Sequence, residues 1–183
     1  MSTHRHCVIT LLVLVHGATI GAIQQHPQMP PGMTHEEHLK QMEKDTGLKK
    51  RGAAAMGFDQ EKAAHHFWLT PEGGAIDVTV ADPPDAASRA QVRAHLKEIA
   101  AAFASGSFEK PFATHAETPP GVPTLQERRV AIRYEYRDLP RGGRVVIETK
   151  DSVARSALHD FLRYQIREHA TGDSTAVRPL RAR

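Results

Sequence analysis

Cysteine is almost absent: Cys7 is the only one in 183 residues. It sits ahead of an N-terminal apolar run, too near the start to anchor a lipoprotein, so the body of the chain has no thiol. Disulfide staples, thiol redox motifs, cysteine nucleophiles, thiolate zinc sites and covalent c-type haem attachment are thereby excluded. An excess of one charge is lacking too. The formal net charge is +3, with arginines scattered or gathered at Arg178, Arg181 and Arg183. Nucleic acid is not the partner of such a surface, because tracking phosphates needs a basic stripe or patch. Long hydrophobic runs are missing beyond Val8 to Val15, VITLLVLV, which His16 and Gly17 end. A membrane-spanning helix needs roughly 18–20 apolar residues, so this run behind Arg5 reads as a cleaved signal peptide over residues 1–22. The expected localisation is periplasmic or secreted, with no membrane span after cleavage. Familiar catalytic groupings are lacking as well. No serine occupies a strand-to-helix elbow and no Ser, His and acid set is visible. The two Gly-Gly pairs do not open a phosphate-cradling loop before a helix.

What the chain does have is a repeat. His65 to Val80, HHFWLTPEGGAIDVTV, returns in altered form at Arg133 to Thr149, RYEYRDLPRGGRVVIET. Phe67 and Leu69, then Ile76, Val78 and Val80, alternate with polar residues. Val130, Ile132, Tyr134 and Tyr136, then Val145 and Ile147, do the same in the second copy. Period-two alternation means strands, and Pro followed by Gly-Gly between them reads as a hairpin turn. Each hairpin is followed by a helical stripe: Val92, Leu96, Ile99 and Phe103 in 86–104, and Leu158, Phe161, Leu162 and Ile166 in 152–169. The hairpins superpose at an offset of 69 residues and the helices at 66, with a short insertion around Pro83 to Asp85 making up the difference.

The expected fold is α+β: two ββα repeats forming a four-stranded antiparallel sheet with two helices on one face, since neither half alone covers its apolar face. This domain spans 56–170. Residues 23–55 read as a flexible arm bearing His and Met, with a short helix over 35–46 opened by a Thr34–Glu37 capping box and stopped near Gly47. Ser107 to Arg128 reads as a long proline-rich loop with one helical turn near Thr124. Residues 171–183 lack apolar periodicity and read as a disordered tail.

Nine of the twelve histidines lie beyond the signal. Imidazole is the commonest protein ligand for transition metals, so histidine richness without cysteine points to a copper or zinc ion. The repeat sorts the candidates. His65 falls on Tyr134, His95 on Phe161 and His169 on Phe103, all on or bordering the apolar face. His65, His95 and His169 are therefore an inward trio, and three ligands make a metal site with an open position. His66 faces away from its neighbour His65, His159 falls on Arg93, and His115 lies in the long loop; these three are secondary candidates. On the arm, His35 and His38 stand three apart with Met42 one turn on. They lack the four-residue spacing of the HExxH zinc motif, and methionine thioether there favours copper(I). Trp68 points to the sheet face without helices and wants a cover, which either the N-terminal helix supplies or an unknown protein partner or a second copy in a homo-oligomer does.

The runs MGFDQEKAAHHF from Met56, PRGGRV from Pro140 and LHDFLRYQIREHATGD from Leu158 resemble an uncharacterised family of short exported bacterial proteins. That resemblance implies bacterial export and carries over no activity, cofactor or catalytic residue. The function expected from the residues is an exported, non-catalytic domain that binds a transition metal through histidine. The alternatives are an interaction module built on Trp68, or a metal-dependent hydrolase using the inward histidines and the loop of His115.

Overall fold

The computed structural model describes residues 31–180; the signal read over 1–22 and the last three residues lie outside them. The chain divides into two units between His38 and Leu39. In the first unit the capping box is made: the Thr34 N–H donates to Glu37 Oε2 (2.8 Å) and the Glu37 N–H to Thr34 Oγ1 (3.3 Å). The helix it opens, α1 (His35–Met56), does not stop near Gly47 and is no short helix over 35–46. Residues 49–55 are mostly strong helix formers. They are also anchored, Arg51 Nε donating to the Thr114 carbonyl and Gln60 Nε2 to that of Lys49, both at 3.0 Å. Met56 and Phe58 then enter the core.

The second unit continues with β1 (Ala63–Thr70), β2 (Gly73–Val80), α2 (Ala86–Ser105), α3 (Glu109–His115), α4 (Val122–Glu127), β3 (Ile132–Leu139), β4 (Gly142–Thr149) and α5 (Ser152–Glu168). The strands form one antiparallel sheet in the order β1-β2-β4-β3. The repeat holds closely. Both hairpins, and the 3-10 turns Gln60–Lys62 and Arg129–Ala131 before them, are 69 residues apart. Asp85 and Asp151, 66 apart, cap the N-termini of α2 and α5 by accepting from first-turn N–H groups. In the β2–β4 register Ile76 pairs with Val145, its own repeat equivalent. A local two-fold axis therefore passes through that pair.

The helices cross over. α2 follows the first hairpin yet packs chiefly on β4 and β3, and α5 follows the second yet packs chiefly on β1 and β2. Glycine permits the approach: a Cβ on Gly74 would lie 2.4 Å from Leu162 Cδ1, and one on the equivalent Gly143 3.1 Å from Leu96 Cδ1. These glycines are strand residues, not the turn residues expected; the connections are Pro71–Glu72 and Pro140–Arg141. Each helix also clamps the far hairpin's turn. Arg93 donates to the carbonyls of Gly142 (2.9 Å) and Leu139 (2.8 Å). His159, its repeat equivalent, places Nε2 2.9 Å from the Gly73 carbonyl and 3.0 Å from that of Thr70. Both partners are acceptors, so Nε2 carries the proton.

Three further expectations need correction. Ser107 to Arg128 is not one long loop: α3 and α4 form in it, with Pro111 and Pro123 in their first turns, where a missing N–H costs nothing. Val130 is not a strand residue but lies in a 3-10 turn, 91% exposed. Residues 171–180 are irregular but not a free tail. Asp173 accepts from the Phe67 N–H and pairs with His66, both at 2.9 Å, and the Arg178 N–H donates to the Leu69 carbonyl. The segment thus satisfies backbone groups that an edge strand leaves open.

On the face without helices Arg144 makes two hydrogen bonds to Asp77, at 2.6 and 2.7 Å, and Trp68 Nε1 donates to the same carboxylate at 3.1 Å. Asp77 and Arg144 are cross-strand partners, and across the local axis their places are taken by Val146 and Ala75. Arg144→Ala leaves Asp77 buried without a counter-ion and is expected to cost about 3–5 kcal/mol. The double change Asp77→Val, Arg144→Ala copies the apolar pair and recovers most of that loss. Guanidinium unfolding of the two variants measures the difference.

Candidate metal centre

Four histidines meet at one small cavity beside the start of β1. His65 comes from β1, His95 from the middle of α2, His115 from the end of α3, and His169 from the residue that caps α5. The cavity measures about 60 Å³ and is otherwise walled mainly by hydrocarbon, with Met56, Lys110 and Gln165 among its lining. The inward trio His65, His95 and His169 is thus assembled, and His115 joins it. The rings of His65 and His169 stack with centroids 5.5 Å apart, and His115 meets His169 edge-on at 5.1 Å. Phe58 touches both His65 and His95, with centroids 6.0 and 5.3 Å away.

Hydrogen bonding sets one of the rings. His115 Nε2 lies 3.0 Å from Gln165 Oε1, an acceptor, so Nε2 carries the proton and Nδ1 a lone pair. His95 and His115 are both 8% exposed, and in both Nδ1 is buried with no partner among the described residues. They are not satisfied core histidines. Tyr164 packs its ring against His115 at 5.0 Å and donates its hydroxyl to Glu117 at 2.5 Å, which holds the far side of the His115 ring.

All four imidazoles are neutral at pH 7. Burial, then the neighbouring His169, His95 and His66, pushes His65 down to about 3. Burial and the Lys110 charge push His95 down to about 4, against the opposing pull of Glu98 and of the Met56 backbone. Burial and then His115 bring His169 to about 4. His115 is lowered by burial, partly offset by Gln165, Glu168 and Glu117.

The repeat supplies an internal comparison. His65, His95, Gln165 and His169 occupy the places that Tyr134, Phe161, Ile99 and Phe103 fill in the other half, at the same offsets of 69 and 66. Those four counterparts belong to an aromatic and aliphatic core, Phe103 meeting Tyr134 and Phe161 edge-on at 5.9 Å each. The fold therefore packs three of these positions with hydrocarbon, at Phe161, Ile99 and Phe103, while Tyr134 keeps a buried hydroxyl without a partner among the described residues.

The remaining candidates lie elsewhere. His66 pairs with Asp173, His159 clamps the first turn, and Trp68 is tied to Asp77. His35 and His38 stand in the first turn of α1, in the other unit. Among the described residues no group of three or more His, Cys, Asp or Glu side chains is arranged so that it could hold a metal ion. The stacked His65 and His169 present faces to each other rather than nitrogens. Gln165 and Lys110 were not anticipated from sequence. A glutamine inside the stripe Leu158, Leu162, Ile166 was the available signal for the first. No family model, curated protein or solved structure matches the chain.

Acid should weaken the metal-free fold. Unfolded, these imidazoles titrate near 6.5; folded, His65, His95 and His169 titrate near 3 to 4. Stability is full above the unfolded value and falls as pH drops toward the folded values, because the unfolded chain takes up protons that the folded one refuses. His95 alone accounts for about 2 kcal/mol of loss between pH 6.5 and about pH 5. Thermal melts from about pH 8 to about pH 4.5 should show the decline, and His169→Phe should flatten it.

Proposed function

We propose that this is an exported, non-catalytic binding domain that holds a transition-metal ion in the four-histidine cavity. The observation that carries the reading is the substitution of His65, His95, Gln165 and His169 for Tyr134, Phe161, Ile99 and Phe103 in equivalent places. Placing polar groups where hydrocarbon packs gives up on the order of 1 kcal/mol or more at each of His95, Gln165 and His169. A ligand that imidazole nitrogens bind recovers that loss.

Size selects the class of ligand. At about 60 Å³ the cavity takes an ion with a water or two, whereas organic ligands occupy pockets of roughly 300–1,000 Å³. Chemistry points the same way. A metal needs neutral imidazole, which burial supplies here. A ligating histidine ordinarily has its second nitrogen fixed by a hydrogen bond, as His115 has in donating from Nε2 to Gln165 Oε1. Ligation turns His65 and His169 out of their stack so that their nitrogens face the ion. Export rests on the signal-like run at Val8 to Val15.

Calorimetric titration of the full chain with zinc and with copper is expected to show about one ion bound at micromolar affinity or tighter. His169→Phe and His65→Tyr, which copy the other half, should abolish that binding. Each should also raise the melting temperature by about 2–4 °C. His35→Ala with His38→Ala should leave binding intact. Unchanged binding in His169→Phe rejects the cavity, and loss in the arm variant moves the site to α1.

A further inference from the structure

We infer that the ion is monovalent copper, taken in preference to zinc(II) or copper(II), with the Met56 thioether as a soft ligand beside the imidazoles. This rests on the metal-binding reading above. The first argument is charge. No carboxylate lines the cavity among the described residues, and every donor there is neutral. The one charged group on the wall is cationic: Lys110, whose ammonium donates to the Ala55 carbonyl at 3.0 Å and pairs with Glu98 at 3.3 Å. The cost of moving an ion out of water rises with the square of its charge, so a divalent ion meets about four times the penalty of a monovalent one. Nothing on the wall neutralises the second charge.

The second argument is the donor set. Met56 lines the cavity, and at the 69-residue offset it stands where Leu125 stands, fully buried, in the other half. Leucine and methionine are close in volume, so packing alone does not separate them. Thioether sulfur does: it favours copper(I) over harder divalent ions. Copper(I) also binds well with two or three ligands, which suits the buried Nδ1 lone pair of His115, an imidazole nitrogen of His95 and one sulfur.

The test measures affinity of the full chain for copper(I), kept reduced with ascorbate under anaerobic conditions, by competition with a chromophoric copper(I) chelator. Zinc(II) and copper(II) affinities are measured in parallel. Wild type is expected to bind copper(I) at least ~1,000-fold more tightly than zinc(II). Met56→Leu, with unchanged circular dichroism, should weaken copper(I) at least ~tenfold and leave zinc(II) unaltered. Zinc(II) binding as tight as copper(I), or Met56→Leu with full copper(I) affinity, overturns this inference while the cavity remains a metal site. Absence of binding by all three ions overturns both.

Discussion

The β2–β4 pairing through Ile76 and Val145 is the contact on which the rest of the fold depends. It joins two hairpins about a local two-fold axis, and it lets each helix reach past its own hairpin to the other. α2 seats Leu96 over Gly143 and clamps the second turn with Arg93; α5 seats Leu162 over Gly74 and clamps the first with His159. Neither half holds its own cover. Folding is for that reason a single cooperative event across the sheet, and separated halves would expose the apolar faces of both hairpins.

A pseudo-symmetric core makes departures from symmetry informative. Where the halves agree, as at Asp85 and Asp151 or Gly74 and Gly143, the residues answer to a cap or a close approach that the fold needs twice. Where they disagree, the fold has been satisfied in one half and something else has been served in the other. Phe161 and Phe103 are the solution that stability alone favours. His65, His95 and His169 sit in the same places and stay uncharged, and His95 Nδ1 is buried without a partner among the described residues. On the metal-binding reading proposed above, that is the relation between a binding site and the stability it sacrifices.

Much of this was legible in the sequence because its signals are local and periodic. Strand alternation, helical stripes and the offsets of 69 and 66 led to the sheet, to the inward direction of His65 and His169, and to the pairing of His159 with Arg93. What escaped depends on partners far along the chain. α1 runs on past Gly47 because Arg51 reaches Thr114. Residues 171–180 are held by β1 through Asp173 and Arg178. His115 gained its place only because α3 folds within a segment whose prolines read as loop. The Gly-Gly pairs were assigned to turns because glycine signals turns most often, whereas here a helix above the strand is what demands them.

α3 is the element that has no counterpart in the first half among the described residues, and its position shows what asymmetry adds. Phe108, at its start, stacks on Phe103 at 4.3 Å, in the hydrocarbon cluster. His115, at its end, reaches Gln165 and His169 at the cavity. Between them Lys110 and Thr114 are tied to Ala55 and Arg51 of α1. The outer wall of the cavity is therefore made by α1 and α3 holding each other through backbone carbonyls, while the inner wall is the sheet and its crossed helices. Bonds of that kind, partly exposed and few, open at lower free energy than a packed sheet does.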